Sequence, residues 1–88
     1  MKYRKKPVEI EALQWTGENH REMFNFLGGR DTEGKSFYLD FDKTIGALAI
    51  KTLEGWQMPT LDDYIIKGIK GEYYNCREDI FHLTYDKA

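Results

Sequence analysis

Hydrophobic and polar residues alternate along several short segments of the chain, and this period of two predicts β-strands. Residues 8–15 alternate apolar side chains with glutamates at first and become apolar on both faces by Trp15. Residues 36–41 place Phe37, Leu39 and Phe41 on one face. Residues 47–53 are almost continuously apolar, which is typical of a central strand.

A helical period replaces the alternation in residues 19–27. Four side chains form one stripe with a spacing of three and four residues. They are His20, Met23, Phe24 and Leu27. Asn19 and Glu22 have the spacing of a capping box, and Gly28-Gly29 can end the helix in the left-handed conformation.

A β-hairpin is predicted from residues 63–76, with strands 63–69 and 72–76 around a two-residue turn at Lys70-Gly71. In that register Ile65 faces Cys76 and Lys67 faces Tyr74. Cys76 then shares one face of the hairpin with Ile65.

The remaining elements are less regular. Residues 56–58 follow a tight turn at Glu54-Gly55, and Pro59 stops this strand or places it at a sheet edge. Residues 77–80 could form one helical turn, and the alternation in 81–85 favours a final strand. The order of elements predicts an α+β fold, in which one helix packs on a curved, mostly antiparallel sheet or small open barrel.

Composition narrows the class of protein. The 88 residues predict one domain, with a basic arm at residues 1–6 that includes Lys2, Arg4, Lys5 and Lys6. A net charge of −2 disfavours a general nucleic-acid coat protein, and four arm charges would give only a salt-sensitive contact. The lone cysteine, the lack of a signal-peptide pattern and the lack of a long apolar run lead us to expect a cytoplasmic protein without membrane contact.

Three motifs resemble a family of small uncharacterised phage and prophage proteins. They are PVEIEALQWTG near the start, TLEG in the middle and DYIIKGIKGEYYNCREDIFHLTY at the end. The resemblance covers most of the chain outside the loop from about Arg30 to Gly46, and the long terminal motif makes it fairly specific. Where the family usually has Gly, Pro and Pro, this chain has Asp62, Asn75 and Glu78. The resemblance implies a phage context in the bacterial cytoplasm and no particular mechanism.

Catalytic and metal-binding interpretations find little support. Cys76, Asp79 and His82 could supply a nucleophile, an orienting carboxylate and a base, but the place of Cys76 beside Ile65 favours its packing as a small hydrophobic residue. His20, His82 and Cys76 lack the spacing of known metal motifs. We therefore predict a protein that is not an enzyme and has no catalytic residues, metal or cofactor.

The hairpin offers a possible anion site. Lys67 and Lys70 could hold an anionic ligand, although Lys67 opposite Tyr74 would also make a cation–π pair and Glu72 could pair with Lys67 diagonally. The Gly68–Gly71 segment lacks P-loop spacing, so turn formation explains its glycines more simply.

Large aromatic residues are the best candidates for partner contacts, because they anchor many interfaces and also fill small cores. The residues predicted to bind a ligand or partner are Trp15, Trp56, Tyr64, Lys67, Lys70 and Tyr73. The leading hypothesis is a phage or prophage accessory protein that binds a host or phage macromolecule, most simply a protein, with homo-oligomers left open. The alternatives are a nucleotide-like ligand sponge that antagonises host defence and a Cys76-dependent enzyme.

Overall fold

The computed structural model describes residues 1–3, 9–32, 35–40 and 48–86. The predicted α+β class is confirmed by two helices and two three-stranded antiparallel sheets. The strands are β1 (Glu11–Gln14), β2 (Phe37–Leu39), β3 (Leu48–Thr52), β4 (Gly55–Gln57), β5 (Tyr64–Lys67) and β6 (Tyr73–Cys76). The helices are α1 (His20–Phe26), α2 (Glu78–Thr84) and a 3₁₀ helix at Gly29–Thr32.

The first sheet has the order β1-β5-β6, so β5 lies at its centre. Ile65 is 0% exposed and its neighbour Ile66 is 1% exposed. Because consecutive strand residues point to opposite faces, both faces of this short strand are covered. We call the Ile65 face the front and the Ile66 face the back of the first sheet.

The front face joins the main hydrophobic core. Leu13 pairs with Ile65 across the sheet and packs against this core. The core brings together side chains from α1 and both sheets. Its buried members are Trp15, Met23, Leu27, Phe37, Leu39, Leu48, Ile50 and Ile65. The predicted helical stripe therefore faces the core through Met23 and Leu27.

The second sheet has the order β2-β3-β4 and confirms the predicted alternation. Phe37 and Leu39 are buried on either side of the exposed Tyr38. The apolar run of β3 is the central strand of this sheet, as its sequence predicts. Phe41 and Ala47 lie outside the described residues, as do Val8 and residues 4–6 of the basic arm.

The N-terminal end of α1 differs from the predicted capping box. Asn19 stands at the cap position, but its side chain makes no capping hydrogen bond. Its Oδ1 instead accepts a hydrogen bond from the Thr16 backbone N–H (3.0 Å), and its Nδ2 donates to the Gln14 carbonyl (2.8 Å). The side chain thus closes the turn before the helix. Gly28 and Gly29 have φ values of 102° and 73°, so the predicted left-handed helix end is confirmed.

The predicted hairpin forms, but its register is shifted by one residue. Tyr64 faces Cys76 and Lys67 faces Tyr73. The Gly71 N–H donates to the Gly68 carbonyl (3.0 Å), and the Gly68 N–H donates to the Glu72 carbonyl (2.7 Å). Three loop residues therefore replace the predicted two, because Gly71 takes a left-handed φ of 82° after a β-turn.

The register shift moves the side chains of β6 to the other face of the sheet. Cys76 lies beside Tyr64 on the back face, so the predicted packing of Cys76 beside Ile65 is wrong. The predicted pairing of Lys67 with Tyr74 is wrong for the same reason, since Lys67 faces Tyr73.

The predicted strand at 81–85 is wrong, because residues 78–84 form α2. The alternating residues Phe81 and Tyr85 are also four apart, so a helix places both on one side. Phe81 stacks on Tyr64 with ring centroids 3.9 Å apart and planes 3° apart. The helix therefore covers the back face of the first sheet, where Ile66 is buried outside the main core cluster.

A left-handed residue precedes β5. Asp62 has a φ of 73°, a conformation that glycine adopts without strain and aspartate tolerates better than most residues. Its backbone N–H donates to the Trp15 carbonyl (2.7 Å), which extends the pairing of β1 with β5.

No helix within the described ranges is long and apolar enough to span a bilayer.

Replacing Gly71 with valine tests the hairpin loop. We expect Gly71→Val to lower the free energy of unfolding by more than about 1 kcal/mol, because a β-branched residue resists positive φ. Nothing lies within 4 Å of an added Cβ, so the cost is conformational and not a clash. Gly71→Asn is the matched control and should lose less, because asparagine tolerates this conformation. Equal urea midpoints for both variants and the wild type would contradict the loop geometry.

Candidate binding surfaces

The two predicted tryptophans have opposite environments. Trp15 is 1% exposed and lies in the core, with its ring edge-on to His20 at 5.5 Å. Trp56 is 50% exposed on β4. Trp15 therefore serves the core in this structure, and only Trp56 offers its ring to a partner.

The two predicted lysines do not converge on one site. Lys67 lies on the front face of β5 and borders a cavity of about 310 Å³ together with Glu9 and Glu11. Lys70 is exposed at the hairpin loop, where its backbone N–H donates to the Glu72 carboxylate (3.1 Å). Glutamates beside both lysines lower the local positive potential, which is unfavourable for a phosphate ligand.

The two predicted tyrosines are structural in this arrangement. The Tyr73 hydroxyl donates to the Phe26 carbonyl (3.1 Å), so it ties β6 to the end of α1. The Tyr64 ring lies on the back face of the first sheet and stacks on Phe81 of α2. Burial and a hydrogen bond with Tyr85 raise the pKa of Tyr74 to about 12, and this bond holds the end of α2 to β6.

Cys76 and its proposed catalytic partners have other contacts. The Cys76 Sγ donates a hydrogen bond to the Arg77 carbonyl (3.6 Å), and the Asp79 carboxylate accepts one from the Arg77 guanidinium (3.1 Å). The His82 ring lies edge-on to Tyr64 at 5.4 Å. Burial raises the pKa of the Cys76 thiol, and the charges of Asp63 and Asp79 raise it further. These conditions disfavour the thiolate that a cysteine nucleophile needs.

The described part of the chain contains no group of three or more His, Cys, Asp and Glu residues that could hold a metal ion. His20 packs on Trp15 in the main core, whereas His82 packs on the back face of the first sheet.

An open depression of about 520 Å³ lies between the turn before β5 and the start of α2. We call it the acidic groove. Its lining residues are Thr60, Leu61, Asp62, Asp63, Arg77, Glu78, Asp79 and His82. Four of these carry carboxylates, and the only arginine is already paired with Asp79. The Asp63 carboxylate is buried and accepts a hydrogen bond from the Thr60 N–H (3.0 Å).

The outward side of the second sheet carries exposed aromatic side chains, and we call it the aromatic face. Tyr38 faces Ala49 and is 57% exposed, and Trp56 faces Lys51. Strand alternation places all four residues on the side opposite the buried Ile50. Leu53 in the β3–β4 turn and Met58 after β4 are also exposed.

Sequence reasoning missed Tyr38, Leu53 and Met58 as surface residues. The available signal for Tyr38 was its place between the core residues Phe37 and Leu39, because alternation alone puts it outside.

Comparisons of the chain with models of known protein families, with curated proteins and with solved structures found no match. The resemblance to phage and prophage proteins stays a prediction from the quoted motifs.

The raised pKa of the Cys76 thiol makes a measurable prediction. We expect iodoacetamide to label Cys76 slowly in the native protein near pH 7, because little thiolate is present, and rapidly after denaturation. The native labelling rate should reach half its maximum at a higher pH than the rate of a free thiol does, because the pKa of Cys76 is raised. Rapid native labelling at neutral pH would contradict this environment and strengthen the enzyme alternative.

Proposed function

We propose that this protein is a non-enzymatic accessory module that binds another protein through the aromatic face of its second sheet. The observation that carries the proposal is the half-exposed Trp56 on a terminal strand of the described sheet, with exposed Tyr38 on the same face. Tryptophan and tyrosine supply a large contact area at a low cost in side-chain entropy, and they are enriched in interface hot spots.

The edge strand suggests how the partner binds. Within the described residues, β4 pairs with β3 on one side only. An extended partner segment can add to such an edge through backbone hydrogen bonds, while side-chain contacts give specificity. Trp56, Leu53 and Met58 are the side chains beside this edge that a partner could cover.

The biological setting of this proposal comes from the sequence resemblance. A phage or prophage accessory protein would act in the bacterial cytoplasm on a host or phage protein. The lack of a cysteine pair and the absence of a spanning helix from the described residues fit this setting.

The two alternatives have less support from the geometry. A nucleotide sponge needs cations that converge, whereas Lys67 borders Glu9 and Glu11 and lies apart from the exposed loop tip at Lys70. A Cys76-dependent enzyme needs a thiolate, and the burial of Cys76 and its nearby carboxylates favour the protonated thiol. Neither alternative accounts for the exposed aromatic face.

Comparative capture from a host lysate tests the proposal. Wild-type protein, Trp56→Ala and Ile69→Ala are immobilised, and captured proteins are identified by mass spectrometry. A captured protein is then purified and titrated against each variant. We expect Trp56→Ala to weaken its binding at least about 10-fold, or about 1.4 kcal/mol, because an interface anchor is lost.

Ile69→Ala is the matched control, because it removes a large exposed apolar side chain from the other sheet's hairpin loop. It should bind like the wild type, and all three proteins should unfold at similar urea concentrations. Equal binding by the wild type and Trp56→Ala would contradict the proposed surface.

A further inference from the structure

A cleft of about 450 Å³ lies between the β3–β4 hairpin of the second sheet and β6 of the first sheet. We call it the tyrosine cleft. Its lining residues are Thr52, Leu53, Glu54, Gln57, Tyr73, Tyr74 and Asn75. This volume and the combination of aromatic rings with a few polar groups are typical of sites that bind small ligands or single side chains.

The two tyrosines of the cleft are held by hydrogen bonds to residues outside it. The Tyr73 hydroxyl donates to the Phe26 carbonyl (3.1 Å) at the end of α1. Tyr74 is hydrogen-bonded to Tyr85 at the end of α2. Because both hydroxyls are already engaged, the tyrosines stand ready as fixed aromatic walls, and a ligand does not have to order them.

The polar side chains of the tyrosine cleft are available to a ligand. The Thr52 hydroxyl donates to the Gly55 carbonyl (2.9 Å) and accepts from the Glu54 N–H (3.1 Å), which fixes the backbone of the β3–β4 turn. The side chains of Glu54, Gln57 and Asn75 make no hydrogen bond to another residue of the described ranges. One carboxylate and two amides are therefore free to bind a ligand.

The electrostatic character of the tyrosine cleft favours a cation. Its lining carries the Glu54 carboxylate and no lysine, arginine or histidine. Lys67 pairs with Tyr73 across the first sheet. It borders a different cavity, beside Glu9 and Glu11. A carboxylate and the π faces of tyrosines both attract a cation, whereas a phosphate would be repelled by Glu54.

A guanidinium group fits these partners better than an ammonium group. It is planar and weakly hydrated, so it stacks on an aromatic ring at a lower cost in desolvation. Its five N–H donors can reach several acceptors at once, whereas an ammonium has three. The acceptors in the cleft are the Glu54 carboxylate and the amide oxygens of Gln57 and Asn75.

The tyrosine cleft adjoins the surface that the proposed partner covers. Leu53 lines the cleft and also lies beside the β4 edge. Gln57 follows Trp56 in β4, so strand alternation places it on the other side of the second sheet. A partner that pairs with the β4 edge can therefore extend a long side chain past Leu53 into the cleft.

We propose that the tyrosine cleft binds the guanidinium group of an arginine side chain that the partner protein supplies. The partner as its source rests on the proposed function, whereas the guanidinium site rests on the cleft alone. The Glu54 carboxylate pairs with the guanidinium, and the amide oxygens of Gln57 and Asn75 accept its remaining N–H groups. The tyrosine walls supply the cation–π contact.

NMR titration of the isotope-labelled full chain measures this binding, with the blocked arginine N-acetyl-arginine methylamide as the probe. We expect saturable shifts of the backbone amides of residues 52–54 and 73–75, with a dissociation constant below about 10 mM. N-acetyl-citrulline methylamide is the matched probe, because a neutral urea group replaces the guanidinium with little change in shape. It should bind at least about tenfold more weakly.

Two pairs of variants test the contacts with the blocked arginine. Glu54→Gln keeps the size of the side chain and removes its charge, so it should weaken binding at least about fivefold. Glu18→Gln removes an exposed carboxylate elsewhere and should bind like the wild type. Tyr74→Phe and Tyr74→Leu both lose the bond to Tyr85, so their comparison isolates the aromatic ring. The phenylalanine variant should bind at least about twofold more tightly than the leucine variant. Urea denaturation shows that each variant is folded.

Trp56→Ala separates this site from the proposed partner surface, because Trp56 does not line the cleft. It should bind the blocked arginine like the wild type. Partner capture that depends on Trp56, without any binding of arginine, would contradict the cleft site and leave the proposed function standing. Arginine binding without a Trp56-dependent partner would leave the guanidinium site and contradict the partner as its source. Tighter binding of free L-arginine than of the blocked residue would also contradict that source.

The absence of saturable shifts at about 50 mM blocked arginine would overturn the guanidinium site. Equal binding of the arginine and citrulline probes would do the same, because the positive charge would then play no part. So would equal binding by the wild type and Glu54→Gln.

Discussion

The fold depends on burying β5 from both sides. Ile65 and Ile66 are adjacent, so their side chains enter different layers, and both are almost fully buried. The front layer is the main core shared with α1 and the second sheet. The back layer needs separate cover, and α2 supplies it through Phe81 and Tyr85. A domain of 88 residues has a small free energy of unfolding, so exposing either apolar layer to water would be strongly destabilising.

This two-sided burial also explains where the functional surfaces lie. The sequence predicts Trp15 and Tyr64 as partner contacts. In the structure Trp15 packs in the front layer and Tyr64 packs in the back layer. The side chains left over for a partner are those that neither layer needs, above all Trp56 and Tyr38 on the outward side of the second sheet. On α2, covering the back face with one side leaves Leu83 exposed on the other.

Elements with one dominant period could be predicted from the sequence. The stripe of α1 and the alternation of β2 each fit only one secondary structure, and both form as predicted. The tail could not be assigned in this way, because Phe81 and Tyr85 satisfy both a strand and a helix. The helix forms because it places Phe81 on Tyr64 and so covers the back face of the first sheet. This contact joins residues that are far apart in the sequence. The hairpin register was ambiguous for a local reason, since Gly68 and Gly71 allow either a two-residue or a three-residue loop.

Urea denaturation of Ile66→Ala tests the two-layer account most directly. If the back layer beside α2 is packed, the substitution lowers the free energy of unfolding by about 2–5 kcal/mol, because it leaves a cavity at the almost fully buried Ile66. Ile65→Ala, in the front layer, should cost a similar amount, and Ile66→Val gives a smaller, measurable loss if the alanine variant does not fold. A loss below about 1 kcal/mol for Ile66→Ala, with Ile65→Ala strongly destabilised, would contradict the account, because the back face would then have no packed layer of its own.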